Sequence, residues 1–138
     1  MKFEPRVHLS FDGNCEAAFD FYERNLGGKV VFKLTWGDSP MAKDVPAGWS
    51  GKLLHASLTL GDTSLLGTDA VPGTYQAPTG FMITLSLDEP EYAERLFGLL
   101  AEEGTIALPL QETFWAGRFG VVTDRFGIPW EINCEKSS

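Results

Sequence analysis

Cysteine is nearly missing from this chain: Cys15 and Cys134 are the two thiols among 138 residues. So few exclude a disulfide-framed scaffold, and neither belongs to a CxxC zinc pattern. Unpaired thiols suit a reducing, cytoplasmic setting. Basic charge is scarce too, with 11 Lys and Arg against 19 Asp and Glu, a net charge of −8 and no basic run. A surface of that sign repels phosphate backbones and anionic membranes, so neither nucleic acid nor a membrane is an expected partner. No apolar run approaches the roughly 20 residues that span a bilayer. The opening MKFEPRVHLSF lacks the apolar core of a signal peptide. Two catalytic signatures are absent as well. The GGKV at 27–30 is not followed by GK[ST], so it stops a helix rather than cradling phosphate, and no GxSxG marks a serine nucleophile.

What the chain does have is an ordinary globular composition, 43% hydrophobic and 22% charged. Its length fits one domain with a sizeable core. RVHLSF (6–11) alternates as a strand. After the DGN turn, with Asn14 as N-cap, the stripe Cys15, Ala18, Phe19, Tyr22, Leu26 predicts a helix that Gly27 and Gly28 stop. KVVFKLTW (29–36), KLLHASLTL (52–60) and SLLGTD (64–69) read as strands, with a long loop at 37–51. After the irregular AVPGTYQAPTG the order restarts. FMITLSL (81–87) is a strand, and Pro90 opens a helix with the stripe Tyr92, Ala93, Leu96, Leu99, Leu100 that Gly104 ends. TIALPLQETFW, RFGVVTD and PWEINCE are three more extended segments. The pattern is strand, helix, strand, strand, strand, written twice at a shift of about 75 residues, with modules at about 1–72 and 79–138. One helix per set of strands covers one sheet face only, so the other faces must meet each other, a partner chain or a ligand.

Strand parity says which polar side chains those faces carry. His8 and Ser10 oppose Val7, Leu9 and Phe11; His55, Ser57 and Thr59 oppose Leu54, Ala56, Leu58 and Leu60. Thr84 and Ser86 oppose Phe81, Ile83, Leu85 and Leu87, and Glu131 and Asn133 oppose Trp130, Ile132 and Cys134. Both histidines of the chain and Glu131 thus fall on non-core faces. Two imidazoles and a carboxylate suit a divalent metal with open positions, acting as a Lewis acid or lowering the pKa of bound water. The plainer reading is that such alternation marks a half-solvated antiparallel sheet, whose polar residues need no function.

Two stretches carry a resemblance. HLSFDGNCEAAFDFYERNLGG and LPLQETFWAGRFGVVTDRFGIPWEIN resemble the PhnB-like branch of the vicinal oxygen chelate superfamily, which includes glyoxalase I, bleomycin-resistance proteins and extradiol dioxygenases. LLHASLTLGDTSLLGTDA fits the same branch, so the resemblance runs from Arg6 to Asn133. It implies an α+β fold of two βαβββ modules forming a curved, partly closed mixed-sheet barrel around a cavity, often homodimeric. It also implies that Asp124, Gly127 and Glu131 match an Asp-x-x-Gly-x-x-x-Glu end pattern whose Glu binds metal. His8 lies at or beside the first-strand ligand position. The chain departs elsewhere. SLLGTD offers Asp69 as its nearest carboxylate, Met82 or Thr84 stands where relatives have His, and His55 lies on an unusual donor strand.

Further residues invite both functional and structural readings. In QETFW (111–115), Gln111 and Thr113 are candidate hydrogen-bonding groups and Trp115 a stacking surface; a strand-edge or dimer-interface aromatic pair explains Phe114 and Trp115 equally well. Trp36, Met41 and Trp49 flank the 37–51 loop, a candidate lid. Cys15 lies at a helix start but on the apolar stripe, which reads as a buried, inert thiol. Two functions follow. In one, His8, His55 and Glu131 hold a divalent ion (zinc, nickel, manganese or iron) that chelates vicinal oxygens of a small substrate, with Glu131 catalytic. In the other, a metal-free protein sequesters a small planar or hydrophobic molecule, as bleomycin-resistance proteins do; then Trp115, Trp130 and the aromatics of the 37–51 loop matter more than Glu131, with Gln111 and Thr113 as further ligand-binding groups.

Overall fold

The structure, a computed structural model, describes residues 1–136. The chain divides into two compact units, Met1–Ala77 and Pro78–Ser138. The first contains β1 (Val7–Phe11), α1 (Cys15–Leu26), β2 (Lys29–Thr35), a 3-10 turn at Ala42–Asp44, β3 (Leu53–Leu60) and β4 (Thr63–Asp69). The second contains β5 (Ile83–Leu87), α2 (Pro90–Ala101), β6 (Thr105–Gln111), β7 (Ala116–Thr123) and β8 (Pro129–Glu135). Their sheets run β1-β4-β3-β2 and β5-β8-β7-β6, the same order displaced by four strands. In each, the first and last strands are parallel (β1 with β4, β5 with β8) and the other neighbours antiparallel. The duplication inferred from element order is therefore a duplication of topology, and the α+β βαβββ modules are present. Each sheet ends in two edge strands, so neither closes on itself. Register shifts in β2 and β6 bend their ladders, as bulges do.

In the first unit Leu9 and Phe11 of β1, Leu65 of β4 and Ala56 and Leu58 of β3 are buried with Cys15, Ala18, Phe19 and Tyr22 of α1. Phe11 and Phe19 meet edge to face at 6.0 Å. Gly67 makes this approach possible: a Cβ there would lie 2.7 Å from the Phe19 ring and 2.9 Å from the Cys15 sulfur. Gly27 ends α1 in the left-handed conformation (φ 75°), and its N–H reaches the Tyr22 carbonyl. In the second unit Trp130, Ile132 and Cys134 of β8 are fully buried, as the alternation in PWEINCE required.

Several expectations are corrected. Asn14 sits at the N-cap but makes no side-chain capping bond. Asp69 takes that role from β4, its Oδ1 accepting the Cys15 N–H at 2.9 Å. Leu53 rather than Leu54 is core, because the β2–β3 ladder slips between Leu34 and Thr35. The buried stripe of α2 is Ala93, Leu96, Phe97 and Leu100; Tyr92 is turned off it and is 41% exposed. α2 stops at Ala101, and the left-handed residue beyond it is Glu103 (φ 56°), not Gly104. Phe81 and Met82 precede β5 and are exposed.

Candidate functional site

Pairing register assigns faces without ambiguity, because directly paired residues project to the same side. On the first sheet the face turned away from α1 carries His8, Leu66 and Ser57 in one row, with Ser10 paired to Thr68 and Leu34 to His55. The two imidazoles therefore share a face. His55 lies against the Phe32 ring of edge strand β2, centroids 5.8 Å apart. His8 is exposed, yet its pKa is lowered from 6.5, first by loss of water around the ring and then by the charge of His55.

On the second sheet the face away from α2 has Glu131 near its centre. Thr84 and Val121 flank it in one row; Ser86, Asn133, Phe119 and Gln111 form the next. The Thr84 hydroxyl donates to Glu131 Oε1 at 3.1 Å. Beside this row stands an aromatic group from the β6–β7 hairpin. Trp115 packs edge-on against Phe119 (5.2 Å) and Phe114 against Trp115 (4.7 Å). Phe114 is 87% and Trp115 51% exposed, which leaves most of both rings uncovered. Thr113 shapes the hairpin: its Oγ1 accepts the Ala116 N–H at 3.0 Å, and its own N–H reaches the Ala116 carbonyl. Of the residues nominated from the sequence, Glu131, Gln111 and Trp115 thus share one region of one sheet.

Trp130 is a correction. Its side chain is fully buried on the α2 face, and its indole N–H donates to Asp124 Oδ2 at 2.8 Å, so it offers no surface to a ligand. Asp124 holds the turn that launches β8. Its Oδ1 accepts from Phe126 N (2.9 Å) and Ile128 N (3.0 Å), and Gly127 takes the positive φ (91°) the turn requires. The Asp-x-x-Gly pattern is thus a device that sets the register placing Glu131 opposite Thr84 and Val121.

Asp69 is equally committed to structure. It is 1% exposed, and besides capping α1 its Oδ2 accepts Leu53 N at 2.8 Å while its carbonyl accepts the Trp36 indole N–H at 3.0 Å. Both carboxylate oxygens of Asp69 are thus spent on backbone N–H groups and not turned to the imidazoles. Among the described residues no group of three or more His, Cys, Asp and Glu side chains is placed to hold a metal ion. The two imidazoles are on the first sheet and Glu131 is on the second, so neither unit by itself holds all three nominated ligands.

The loop at 37–51 is stitched at its neck by Trp36 N to Lys52 O and Gly37 N to Ser50 O, both 2.9 Å. Lys52 Nζ donates to Gly13 O at 2.8 Å and lies over the Trp49 ring. Trp36 and Trp49 therefore serve to anchor the loop. Both thiols are buried and free. Burial, then the charges of Asp69 and Glu16, push the Cys15 thiol far above its usual range, and burial raises Cys134 as well.

These features recur in known proteins. The profile of the Glyoxalase/Bleomycin resistance protein/Dioxygenase superfamily matches residues 7–132. The chain belongs to this superfamily. Protein YjdN of Escherichia coli K12 is 36% identical over 137 residues, which cover 94% of this chain and 93% of that one. The crystal structure of protein PA1353 from Pseudomonas aeruginosa superposes with a TM-score of 0.88 at 42% identity, over 99% of this chain and all of the other. A PhnB protein from Bacillus cereus shares the fold (TM-score 0.82, 22% identity, 96% and 99% covered). Superfamily membership was legible in the signature segments. What sequence reasoning missed was the structural employment of Asp69 and Asp124, whose hydrogen-bond partners single-strand parity does not reveal; for Trp130 parity had given the buried face, and the ligand-binding nomination went against it. No helix is long and apolar enough to cross a membrane, among the described residues.

Proposed function

We propose that this superfamily member is a small-molecule-binding protein whose ligand lies on the helix-free face of the second sheet and is recognised without a metal. One observation carries the reading. Exposed Trp115 and half-buried Phe119 form an aromatic wall beside polar side chains of two adjacent rows, Gln111 and Asn133 in one and Glu131 in the other, on a single face. A flat ring can stack on the wall while the amides and the carboxylate fix its orientation, the usual division of labour in ligand sites. Phe114 and Trp115, in T-shaped contact with each other, keep most of their ring surface uncovered within their own unit.

The reading is tested by a thermal-shift screen of planar compounds against wild type and Trp115→Ala. A ligand at about 100 times its Kd adds about 2.7 kcal/mol of stability, a shift of several degrees for a domain of this size. Hits should lose most of that shift in Trp115→Ala. Hits that shift both proteins equally would place the ligand elsewhere.

A second reading, divalent-metal chemistry on a substrate with vicinal oxygens, draws on the two imidazoles that share a face of the first sheet. Elemental analysis after loading with zinc, nickel, manganese or iron decides it. Stoichiometric metal lost in His8→Gln, His55→Gln or Glu131→Gln would assign those side chains as ligands. Under either reading we take the chain to be a cytoplasmic homodimer; light scattering of the purified protein checks the dimer, and cell fractionation checks the location.

A further inference from the structure

The ligand-binding face lacks a counter-charge. Strands β5 to β8 contain one Lys, Arg or His in all, Arg118. Arg118 pairs with Cys134 and so projects to the α2 side, where its Nε donates to Glu94 Oε1 at 3.1 Å. Glu131 sits near the middle of the opposite face, paired on one side to Thr84 and on the other to Val121, both neutral. Its Oε1 accepts the Thr84 hydroxyl, which orients the carboxylate without neutralising it. Phe119 is a diagonal neighbour of Glu131 across the β7–β8 ladder. Diagonal neighbours stand roughly 7–8 Å apart, a distance that a two- or three-ring molecule spans.

Resting on the ligand-binding reading, we propose that the ligand class is a planar organic cation, with its ring system against Trp115 and Phe119 and its charged N–H directed to Glu131. Each part of the face contributes a physical reason. A half-buried carboxylate without a cation gains a charge-assisted hydrogen bond from such a ligand. The negative faces of the Trp115 and Phe119 rings attract a cationic ring. Gln111 and Asn133 supply neutral hydrogen-bonding groups in the adjacent row. The net charge of −8 enriches cations around the whole molecule and depletes anions. A planar anion of equal size would gain the stacking but would face Glu131 uncompensated.

The experiment titrates two fluorescent tricyclic probes, proflavine (a cation) and anthracene carboxylate (an anion), into wild type, Glu131→Gln and Trp115→Ala. Circular dichroism confirms that each variant is folded. Wild type should bind proflavine more tightly than anthracene carboxylate. Glu131→Gln should weaken proflavine about tenfold or more, the scale of one lost hydrogen bond to a charge, and leave anthracene carboxylate unchanged or tighter. Trp115→Ala should weaken both. If Glu131→Gln does not fold, salt dependence in wild type substitutes: proflavine binding should fall with ionic strength, whereas that of neutral anthracene methanol should not. Proflavine binding that is indifferent to both Glu131→Gln and salt overturns the cationic class, and so does a wild type that prefers the anion; either leaves a site for planar ligands standing. Wild type that binds neither proflavine nor anthracene carboxylate overturns the ligand-binding reading itself.

Discussion

Asp124→Asn probes the joint that aims Glu131. The carboxylate accepts hydrogen bonds from Phe126 N at 2.9 Å, Ile128 N at 3.0 Å and the Trp130 indole at 2.8 Å. An asparagine can turn its carbonyl oxygen to the two backbone donors, retaining those bonds in weaker, uncharged form. Its amide nitrogen then meets the Trp130 N–H, donor against donor. Trp130 is fully buried, so water cannot replace the lost acceptor. An orphaned buried donor costs about 1–3 kcal/mol, and the loss of charge assistance adds about another 1 kcal/mol. The expected destabilisation is therefore about 2–4 kcal/mol, read from urea unfolding with an unchanged m-value. Trp130→Phe removes the donor and leaves a cavity of its own, but a double-mutant cycle cancels that second effect. In the Trp130→Phe background, Asp124→Asn should cost about 1–3 kcal/mol less. Costs that add to within about 0.5 kcal/mol would refute a coupled Asp124–Trp130 pair.

Gly67→Ala should destabilise by about 1–3 kcal/mol, because its methyl would press on the Phe19 ring and the Cys15 sulfur, neither free to retreat from a closed core. Equal urea midpoints for wild type and variant would mean that α1 shifts at no cost. His8 binds its proton less readily in the folded chain than in the unfolded one, since its pKa is lowered from 6.5. The unfolded state therefore takes up more protons as pH falls below about 6.5, and stability drops through that window toward the lower folded value. His8→Gln should show a shallower loss of urea midpoint between about pH 8 and pH 5 than wild type, and parallel curves would contradict this. Both thiols should resist an aromatic disulfide reagent in the native protein and react promptly in denaturant, as burial and a raised Cys15 pKa require. Rapid labelling of native protein would show that the core around α1 opens.

Much of the fold was legible because its signals are local. Alternation in PWEINCE follows from the two-residue repeat of a strand and picked out Trp130, Ile132 and Cys134 as core. The stripe from Cys15 to Tyr22 and the glycine stop followed from helical geometry. The repeated element order foretold two like-wound sheets. Local reading failed where a distant segment competed with a nearby one. Asn14 looks like a cap, yet Asp69, 54 residues away from Cys15, satisfies that end of α1. Leu54 looks like core, yet a slip against β2 turns Leu53 inward.

The sequence by itself determined superfamily, strand parity and the side of the sheet on which Glu131 stands, since these depend on residue spacing along one chain. Tertiary structure alone decided how the carboxylates are used. Asp69 and Asp124 are drawn into the core because buried backbone and indole N–H groups must find acceptors there. Glu131, hydrogen-bonded to the Thr84 hydroxyl, stays on the face turned away from α2, where we propose that a ligand binds. Which neighbours a side chain meets across strands depends on pairing, and pairing is a property of the folded chain.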